Sequence, residues 1–478
     1  MSDRAVDSSP TEGNSRLRTG VKGVLALVAS GALIVWVGST IWDNLERDES
    51  VRLIRSGTVD ERRLAAENLR RATGDREIDR AIAALREALG DEDAQVRAEA
   101  ITSLAGLVRQ ARDSGTASAA SGPWEKRFEV AMRGLIPLLS DPDPGVRTAA
   151  VIGLAVIAPG VNPPPELVAA LRDESAAVRA AAARALVPFG PGLDPEIPTL
   201  IALMERDEMN VRGACAEALH AAQPHPALVP TLIGFLDSPD RNVRAITADL
   251  LGRIGPDARG AIPALIKVLK EPFGRERDRS WSVSPEPARS TARALGKMGP
   301  SREAIAALIE VISPEKIERI MASLRGLGGV RTLPDEARAA FAELGRINAA
   351  VQGLGEIGPP AVAAVPALIT VYEEVLASRQ HAIAHIAIPR ALARIAPNSA
   401  AAPGVVAVLV RALDSTDRSI RLGAAEALGQ FGKDAIAAIP RLRAVREDSD
   451  ASVRDAAKKS IAALERASPP DASKSRTP

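Results

Sequence analysis

The residues best suited to chemistry are the histidines, of which the chain has only four. His381 and His385 stand four residues apart in the segment HAIAH, a spacing that places two imidazoles on one face of a helix, as in many zinc sites. The metalloprotease motif with this spacing also needs a glutamate directly after the first histidine, and residue 382 is alanine. The pair is a metal site only if Glu373 or Glu374 on the preceding helix completes it, and otherwise both histidines are structural.

The other reactive groups offer little catalytic chemistry. His220 and His225 flank a predicted helix end, where an imidazolium interacts favourably with the helix dipole. Cys215 occupies a small-residue position with no base beside it, and a single cysteine excludes an intrachain disulfide framework. The sequence also lacks a phosphate-binding glycine loop and a nucleophile elbow. We therefore expect no enzymatic activity and no cofactor.

The composition favours a long chain with an aliphatic core. Apolar residues make up 46% of the 478 residues, but only four Trp, one Tyr and six Phe are aromatic. Lys and Arg total 61 and Asp and Glu total 60, so the formal charge is +1. A protein held mainly on phosphates would be far more basic, and we expect no nucleic-acid partner.

One apolar segment near the N-terminus, residues 23–42, is long enough to cross a membrane. It contains no charged residue, and as a helix it would span roughly 30 Å, the thickness of a bilayer's hydrocarbon core. Trp36 and Trp42 stand towards its distal end, where an indole can lie at the headgroup level. We predict a disordered arm at 1–20, a transmembrane helix at 21–42 and a linker at 43–54.

The flanking charges predict the orientation of this segment. Arg16, Arg18 and Lys22 precede it, whereas the residues that follow it are mostly acidic. The positive flank should remain in the cytoplasm, so the remainder of the chain should be extra-cytoplasmic, anchored in the inner membrane. Two alternatives remain open at this point, a cleaved signal peptide and a buried globular helix.

Internal repetition is the strongest pattern in the remaining sequence. Each repeat has an anchor valine followed by arginine, then small residues, and a leucine eight positions after the valine. Clear copies begin at Val96, Val146, Val178, Val211, Val243, Ile420 and Val453, and degenerate copies begin at Glu61, Pro287, Arg346 and Ala384. About eleven repeats are therefore predicted.

Each repeat also has an upstream half, which predicts a helix, a turn and a second helix. The upstream half often begins with isoleucine and proline, as in IPALIKVL from Ile262, and proline is well tolerated in a first helical turn. The second helix often ends in Gly-Pro, which predicts a left-handed cap followed by a helix breaker. Such pairs are Gly190-Pro191, Gly255-Pro256, Gly299-Pro300 and Gly358-Pro359.

Charged residues recur with the repeat. An acidic residue three positions before the anchor can cap the second helix, and the arginine after the anchor lies on the same helical face. Stacking would align each arginine with an acidic turn of a neighbouring repeat, which predicts an intramolecular ladder; the alternative is a ligand-binding ladder. The predicted ladder residues are Asp93, Arg97, Asp143, Arg147, Arg179, Arg212, Asp240, Arg244, Asp417, Arg421, Asp450 and Arg454.

These motifs resemble HEAT repeats, in particular the short bacterial type also found in phycobilisome lyases. The resemblance covers roughly residues 55–465 and implies an all-α fold, a right-handed α-α superhelix with a concave wall, preceded here by one transmembrane helix. It implies no catalytic residue that can be placed in this chain, because such repeats are reused for many functions. Residues 466–478 are polar and proline-containing, which predicts a mobile tail.

Insertions into the repeats are the expected binding elements, because insertions map to loops. They fall near residues 111–128, 271–290 and 315–346, and the third should contain an additional helix from Pro334 to Leu344. Arginine beside an isolated aromatic is typical of an interface hot spot, although the tryptophan could instead pack on the solenoid edge. The candidate partner-binding residues are Trp281, Arg275, Arg277, Arg279 and Trp124.

The sequence thus favours a noncatalytic, membrane-tethered scaffold that binds a protein partner. One alternative is a metal- or cofactor-handling enzyme, or a lyase-like protein, that uses the face of His381 and His385. The other is a regulatory subunit whose repeats face the cytoplasm.

Overall fold

The computed structural model describes residues 48–113, 123–158, 162–271, 287–324, 335–377 and 387–467. Within these ranges all regular secondary structure is helical. The chain divides into two compact units, Met1–Ala185 and Leu186–Pro478, each built from successive antiparallel helix pairs. The predicted membrane segment at 23–42 lies outside the described residues.

Unit 1 stacks four pairs, in which α2, α4, α6 and α8 are the second helices. Its helices are α1 (48–56), α2 (Val59–Leu69), α3 (Asp75–Ala88), α4 (Ala94–Asp113), α5 (Pro123–Leu135), α6 (Pro144–Ile157), α7 (Pro165–Ala169) and α8 (Ala176–Ala185). Short 3₁₀ segments, Ile136–Ser140 and Ala170–Arg172, follow α5 and α7.

Unit 2 continues the same arrangement, with second helices α10, α12, α14, α17, α19, α21 and α23 in its described part. Its first six helices are α9 (Ile197–Arg206), α10 (Met209–Ala221), α11 (Val229–Phe235), α12 (Arg241–Ile254), α13 (Ile262–Lys270) and α14 (Pro287–Lys297). The next nine are α15 (Arg302–Val311), α16 (Pro314–Leu324), α17 (Asp335–Ile357), α18 (Val365–Ala377), α19 (Ala387–Ile395), α20 (Ala402–Ala412), α21 (Arg418–Leu428), α22 (Ile439–Val445) and α23 (Ala451–Ala467).

Proline and glycine mark the helix boundaries. Proline occupies the first turn of α9, α13 and α22, where its missing N–H has no helical partner to lose. Gly255, Gly299 and Gly358 have positive φ values of 73°, 85° and 73°, a backbone conformation that favours glycine. The prediction of a left-handed cap at Gly190 is wrong, because this residue lies in a 3₁₀ segment and its lack of a Cβ accommodates the Ala221 carbonyl group.

Small and aliphatic side chains form the core between successive second helices. In unit 1, Ile101 and Leu104 of α4 and Leu154 of α6 are fully buried where these two helices pack. In unit 2, α14 and α17 approach so closely that a Cβ on Gly353 would lie 2.5 Å from the Ala292 carbonyl oxygen. Burying one leucine or isoleucine contributes about 1.5–3 kcal/mol, so many such residues can form a core without aromatics.

The region near residues 315–346 differs from the prediction. The segment Pro334–Leu344 does not form a separate helix. Residues Asp335–Ile357 form one continuous helix, the second helix α17. The additional helix is α16, which packs against α17 and α18. The sequence AAFAELGRINAA has no proline that would end the helix, which explains its continuity.

The insertion near residues 111–128 is shorter than the sequence suggests. Helix α4 extends to Asp113, and α5 begins at Pro123, so both ends of the predicted linker are helical. Residues 114–122 lie outside the described part of the chain.

One helical stretch among the described residues, Pro359–Ala377, is long and apolar enough to cross a membrane. Of the apolar 18-residue part of this stretch, 39% is buried within the protein. The stretch comprises a 3₁₀ turn and α18, whose Leu368, Val371 and Val375 are buried against neighbouring helices. These contacts give it the ordinary role of a first helix in a repeat.

Candidate functional site

Arg147 joins two successive helix pairs in unit 1. Its Nη1 donates to the carbonyl oxygens of Asp141 and Pro142, at 2.9 and 3.3 Å, in the turn before its own helix. Its Nε and Nη2 donate to the two carboxylate oxygens of Asp173, each at 2.9 Å, in the turn of the next pair. Asp173 also accepts a hydrogen bond from the Ser175 amide at 2.8 Å. One guanidinium thus fixes the spacing of two turns.

The same arrangement recurs along both units. In each case the arginine after the anchor forms an ion pair with the aspartate that stands five positions before the next anchor. The pairs are Arg62–Asp91 at 2.7 Å and Arg97–Asp141 at 2.8 Å in unit 1, and Arg421–Asp448 at 2.7 Å in unit 2.

The partner differs from the residue that spacing suggested. Asp143, three positions before its anchor, accepts hydrogen bonds from the Gly145 and Val146 amides and caps α6, so it is not the partner of Arg147. The residues in the equivalent cap position are Asp93, Asp240, Asp417 and Asp450.

Two further ladder arginines have other partners. Arg212 forms its ion pair with Asp240, because a serine, Ser238, replaces the aspartate five positions before that anchor. Arg244 pairs with Glu271 at 3.2 Å.

Two arginines are held by the turns of their own repeats. Arg179 donates to the carbonyl oxygens of Asp173 and Glu174, at 2.8 and 2.9 Å. Arg454 in the last second helix of unit 2 donates to those of Asp448 and Ser449, at 2.6 and 3.0 Å.

The ion pairs lower the pKa of two carboxylates of the ladder, Asp141 and Asp448. Burial by itself raises the pKa of Asp141, but hydrogen bonds from Arg97 and from the Asp143 amide outweigh it, so the pKa lies below its ordinary value. For Asp448 the hydrogen bonds from Arg421 are the largest cause, and the pKa is again lowered. These carboxylates are therefore ionised at neutral pH and hold their arginines in place.

The ladder stops at three consecutive second helices of unit 2, α14, α17 and α19. The residue after the anchor is Ala288 in α14, Ile347 in α17 and His385 before α19, none of which can replace the arginine. The connections that precede these helices in the chain, 272–286, 325–334 and 378–386, lie outside the described residues. These repeats are the degenerate ones in the sequence.

The same three helices carry exposed cations at another position of the repeat. Helix α14 exposes Arg289, Arg293 and Lys297 at successive four-residue steps, and α19 exposes Arg390 and Arg394 with the same spacing. These five residues, called the cationic stripe below, make no ion pair with any other described residue. Unlike the ladder arginines, they are exposed.

Helix α17 lies between the two parts of the cationic stripe. It contributes Asn348, Gln352 and Glu356 at the same four-residue steps. A groove of about 460 Å³ separates α17 from α19. It is lined by Asn348, Gln352, Gly355, Glu356, Ala387, Arg390, Ala391 and Arg394.

The floor of this groove is formed by small residues. A Cβ on Gly355 would lie 3.1 Å from the Ala391 Cα, so the two helix backbones are close. The Asn348 Oδ1 atom is buried and accepts no hydrogen bond from the described residues. The groove therefore has arginines on the α19 wall, amides on the α17 wall and small residues at its floor.

The neighbouring second helices lack this excess of positive charge. Arg253 of α12 forms an ion pair with Asp249 at 3.1 Å and donates to the carbonyl oxygens at the end of α10. Helix α21 exposes Glu426, and α23 exposes Asp455 and Lys459. The cationic stripe is thus confined to α14 and α19, and α17 between them has one carboxylate, Glu356, at the corresponding positions.

The residues singled out by sequence fall mostly elsewhere. His381 and His385 lie outside the described residues, as do Trp281, Arg275, Arg277 and Arg279. Trp124 lies in the first turn of α5. Glu373 forms an ion pair with Arg411, and in the described parts no three His, Cys, Asp or Glu residues are grouped as a metal site would require.

The remaining reactive side chains are held in structural roles. Cys215 is buried in α10, and this burial raises the pKa of its thiol to about 12, so the reactive thiolate does not form at neutral pH. His225 accepts a hydrogen bond from the Ala227 amide at 3.2 Å, and the Nδ1 of His220 lies 2.7 Å from the Ala216 carbonyl oxygen.

The cationic stripe was not predicted from the sequence, because its residues stand at positions that the recurring anchor motif does not include. The signal was available in the degenerate copies. PARSTARAL lacks the ladder arginine yet has Arg289 and Arg293 four residues apart, and IPRALARI repeats that spacing with Arg390 and Arg394.

Comparison with known proteins agrees with this architecture. A family model described as HEAT repeats matches residues 132–220, 197–284 and 372–462, which together make up about half of the chain. No curated protein sequence matches the chain.

Several solved structures share the fold. Kap121p superposes with a TM-score of 0.50 at 15% identity, covering 90% of this chain and 46% of Kap121p. Importin beta superposes with a TM-score of 0.50 at 14% identity, covering 87% of this chain and 62% of importin beta. The chain spans about half the length of Kap121p, and at these identities the likeness establishes the fold alone.

Proposed function

The chain belongs to the HEAT-repeat family, and on that premise we propose that it is a noncatalytic scaffold that binds a protein partner through α14, α17 and α19 of unit 2. The observation that supports this most directly is the contrast between two sets of arginines. The ladder arginines, such as Arg421, are paired and partly buried, whereas Arg390 and Arg394 are exposed beside a groove and form no ion pair with any other described residue. Cations that do not stabilise the fold are suited to recognition.

The position of these three repeats in the array also supports a binding surface on α14, α17 and α19. The three repeats that lack the ladder arginine are consecutive. Each has exposed polar or charged side chains at four-residue intervals on its second helix. A structural explanation would require these side chains to be paired within the fold, as the ladder residues are. Loss of internal pairing together with a local excess of charge is the pattern of an interface.

Affinity capture of the full chain tests this proposal. The R390E/R394E variant should lose the partner that the wild-type protein retains, because charge reversal at an interface produces repulsion. The R302E/R446E variant is the matched control, since it reverses two exposed arginines at the ends of the first helices α15 and α22. Equal recovery of the partner by both variants would argue against the surface.

Membrane tethering through residues 23–42 is part of the proposal and rests on the sequence. The segment has the length of a bilayer span, and its positive flank favours a cytoplasmic N-terminus with the solenoid outside the cytoplasm, anchored in the inner membrane. A reporter fused after Pro478 should be active when it requires export. Activity only of a reporter that works in the cytoplasm would contradict this orientation.

The number and type of the repeats and further partner contacts are likewise proposed from the sequence. We expect about eleven repeats of the short bacterial type within residues 55–465. Trp281 with Arg275, Arg277 and Arg279, and separately Trp124, are proposed as further partner contacts on their composition. Trp281→Ala should then weaken the captured interaction, and an unchanged interaction would remove this residue from the proposal.

A further inference from the structure

We infer that the partner presents an acidic segment in an extended conformation, which binds along the groove between α17 and α19. This inference rests on the proposed function and specifies the chemistry of the partner. The groove is lined by two arginines, Arg390 and Arg394, and one carboxylate, Glu356, and the other three cations of the stripe lie on α14, beyond α17. An acidic ligand satisfies this imbalance, whereas a basic or neutral ligand leaves the guanidinium groups without anionic partners.

The spacing of the arginines matches an extended chain. Arg390 and Arg394 are one helical turn apart, which corresponds to about 6 Å along the axis of α19. Alternate side chains of an extended peptide lie on one face at intervals of about 6.6 Å. Carboxylates at alternate positions of the ligand therefore reach successive arginines, and each planar guanidinium can donate two parallel hydrogen bonds to a carboxylate.

The opposite wall can bind the ligand backbone. Asn348 and Gln352 carry amides, which donate and accept hydrogen bonds and so suit peptide N–H and C=O groups. Gly355 and Ala391 keep the floor low, so that a backbone can approach.

Glu356 limits where acidic residues bind. It stands on α17 in register with Arg394 on α19 and Lys297 on α14, so it repels ligand carboxylates at that end of the groove. The strongest recognition within the groove is therefore expected beside Arg390. The same carboxylate disfavours a continuous phosphate backbone, and the described residues that line the groove include no aromatic side chain for base stacking.

Fluorescence anisotropy with the detergent-solubilised full chain tests the inference. The probe is a fluorescein-labelled peptide of alternating glutamate and serine. The matched probes are the glutamine-serine peptide and a labelled oligothymidine. The acidic peptide should bind with a Kd that rises with salt, and R390E/R394E should raise that Kd at least about tenfold. The R302E/R446E control should leave it within about twofold of wild type, and R390Q/R394Q should give an intermediate Kd.

Other results would overturn the inference. Equal Kd values for wild type and a folded R390E/R394E, or equal binding of the glutamine-serine peptide, would exclude acidic recognition at this groove. Tighter binding of oligothymidine, lost in the same variant, would assign the surface to nucleic acid. If no peptide binds but a photo-crosslinker at Gln352 still captures a protein, only the acidic chemistry is wrong. If neither occurs, the proposed function fails as well.

Discussion

Arg421 of α21 donates two hydrogen bonds to the carboxylate of Asp448, Nε to Oδ2 at 2.7 Å and Nη2 to Oδ1 at 2.9 Å. The two side chains are only 14% and 9% exposed, so the pair is largely removed from water. On the same helix, Arg418 pairs with Asp450 at 3.0 Å, but the arginine is 68% exposed. Both pairs join α21 to the turn that precedes α23, and they differ mainly in burial.

Arg421→Ala should destabilise unit 2 by about 2–3 kcal/mol, because it leaves the Asp448 carboxylate and two turn carbonyl groups without their donor. Arg418→Ala should cost less than about 1 kcal/mol, since exposed ion pairs contribute little. Hydrogen exchange of the α22 and α23 amides measures this difference, because loss of the pair opens the last repeat first. Equal effects of the two substitutions would show that the ladder does not join the repeats.

Lowering the pH should reduce the stabilisation that the ladder gives to the folded chain. Hydrogen bonds from Arg421 lower the pKa of Asp448 in the folded chain. The unfolded state therefore binds the proton more readily, and the stabilisation is fully present above the unfolded value of about 3.9 and is lost as the pH falls through the lowered pKa. Asp448→Asn should reduce stability at pH 7 and flatten the stability profile below about pH 4, as thermal unfolding monitored by circular dichroism at several pH values can show. An unchanged profile would contradict the assigned cause.

Two glycines in second helices of unit 2 should respond oppositely to the same substitution. A Cβ on Gly353 would lie 2.5 Å from the Ala292 carbonyl oxygen, so Gly353→Ala should destabilise by about 1–3 kcal/mol through overpacking of α14 against α17. A Cβ on Gly213 of α10 meets nothing within 4 Å, so Gly213→Ala should stabilise by about 0.5–1 kcal/mol through helix propensity. Urea denaturation of both variants measures the sign of each effect. Stabilisation by Gly353→Ala would contradict the close approach of the two helices.

Cys215 should be chemically inert in the folded protein. Its side chain is fully buried, and burial raises the pKa of the thiol to about 12. Iodoacetamide at pH 8 should therefore modify it only after the chain is unfolded in urea, and mass spectrometry can quantify the adduct. Rapid modification under native conditions would contradict its position in the core.

The helix pairs were predictable from sequence, but the partners within the ladder were not. The motif places aspartates both three and five positions before an anchor, as with Asp143 and Asp141 before Val146. Only the turn geometry decides that Asp143 bonds the first amides of α6 while Asp141 accepts from Arg97. Spacing along one helix cannot distinguish these roles, because the arginine partner comes from another repeat.

The candidate surface was harder to predict for a different reason. A repeat motif is recognised by the residues that build its core, and the cationic stripe lies at positions that the core leaves free. Its charge becomes significant only when α14, α17 and α19 are adjacent and the pairing of each arginine is known. The sequence instead drew attention to insertions and to the histidine pair, and the structure does not describe Trp281 or His381.

Site-specific photo-crosslinking tests the proposed function most directly. A photoreactive residue at Gln352, in the groove wall, is compared with one at Glu303, exposed on the first helix α15. We expect a discrete protein adduct from Gln352, none from Glu303, and loss of the adduct when Arg390→Glu and Arg394→Glu are added. Adducts from Glu303 with none from Gln352, or an adduct unaffected by the charge reversals, would contradict the proposed function.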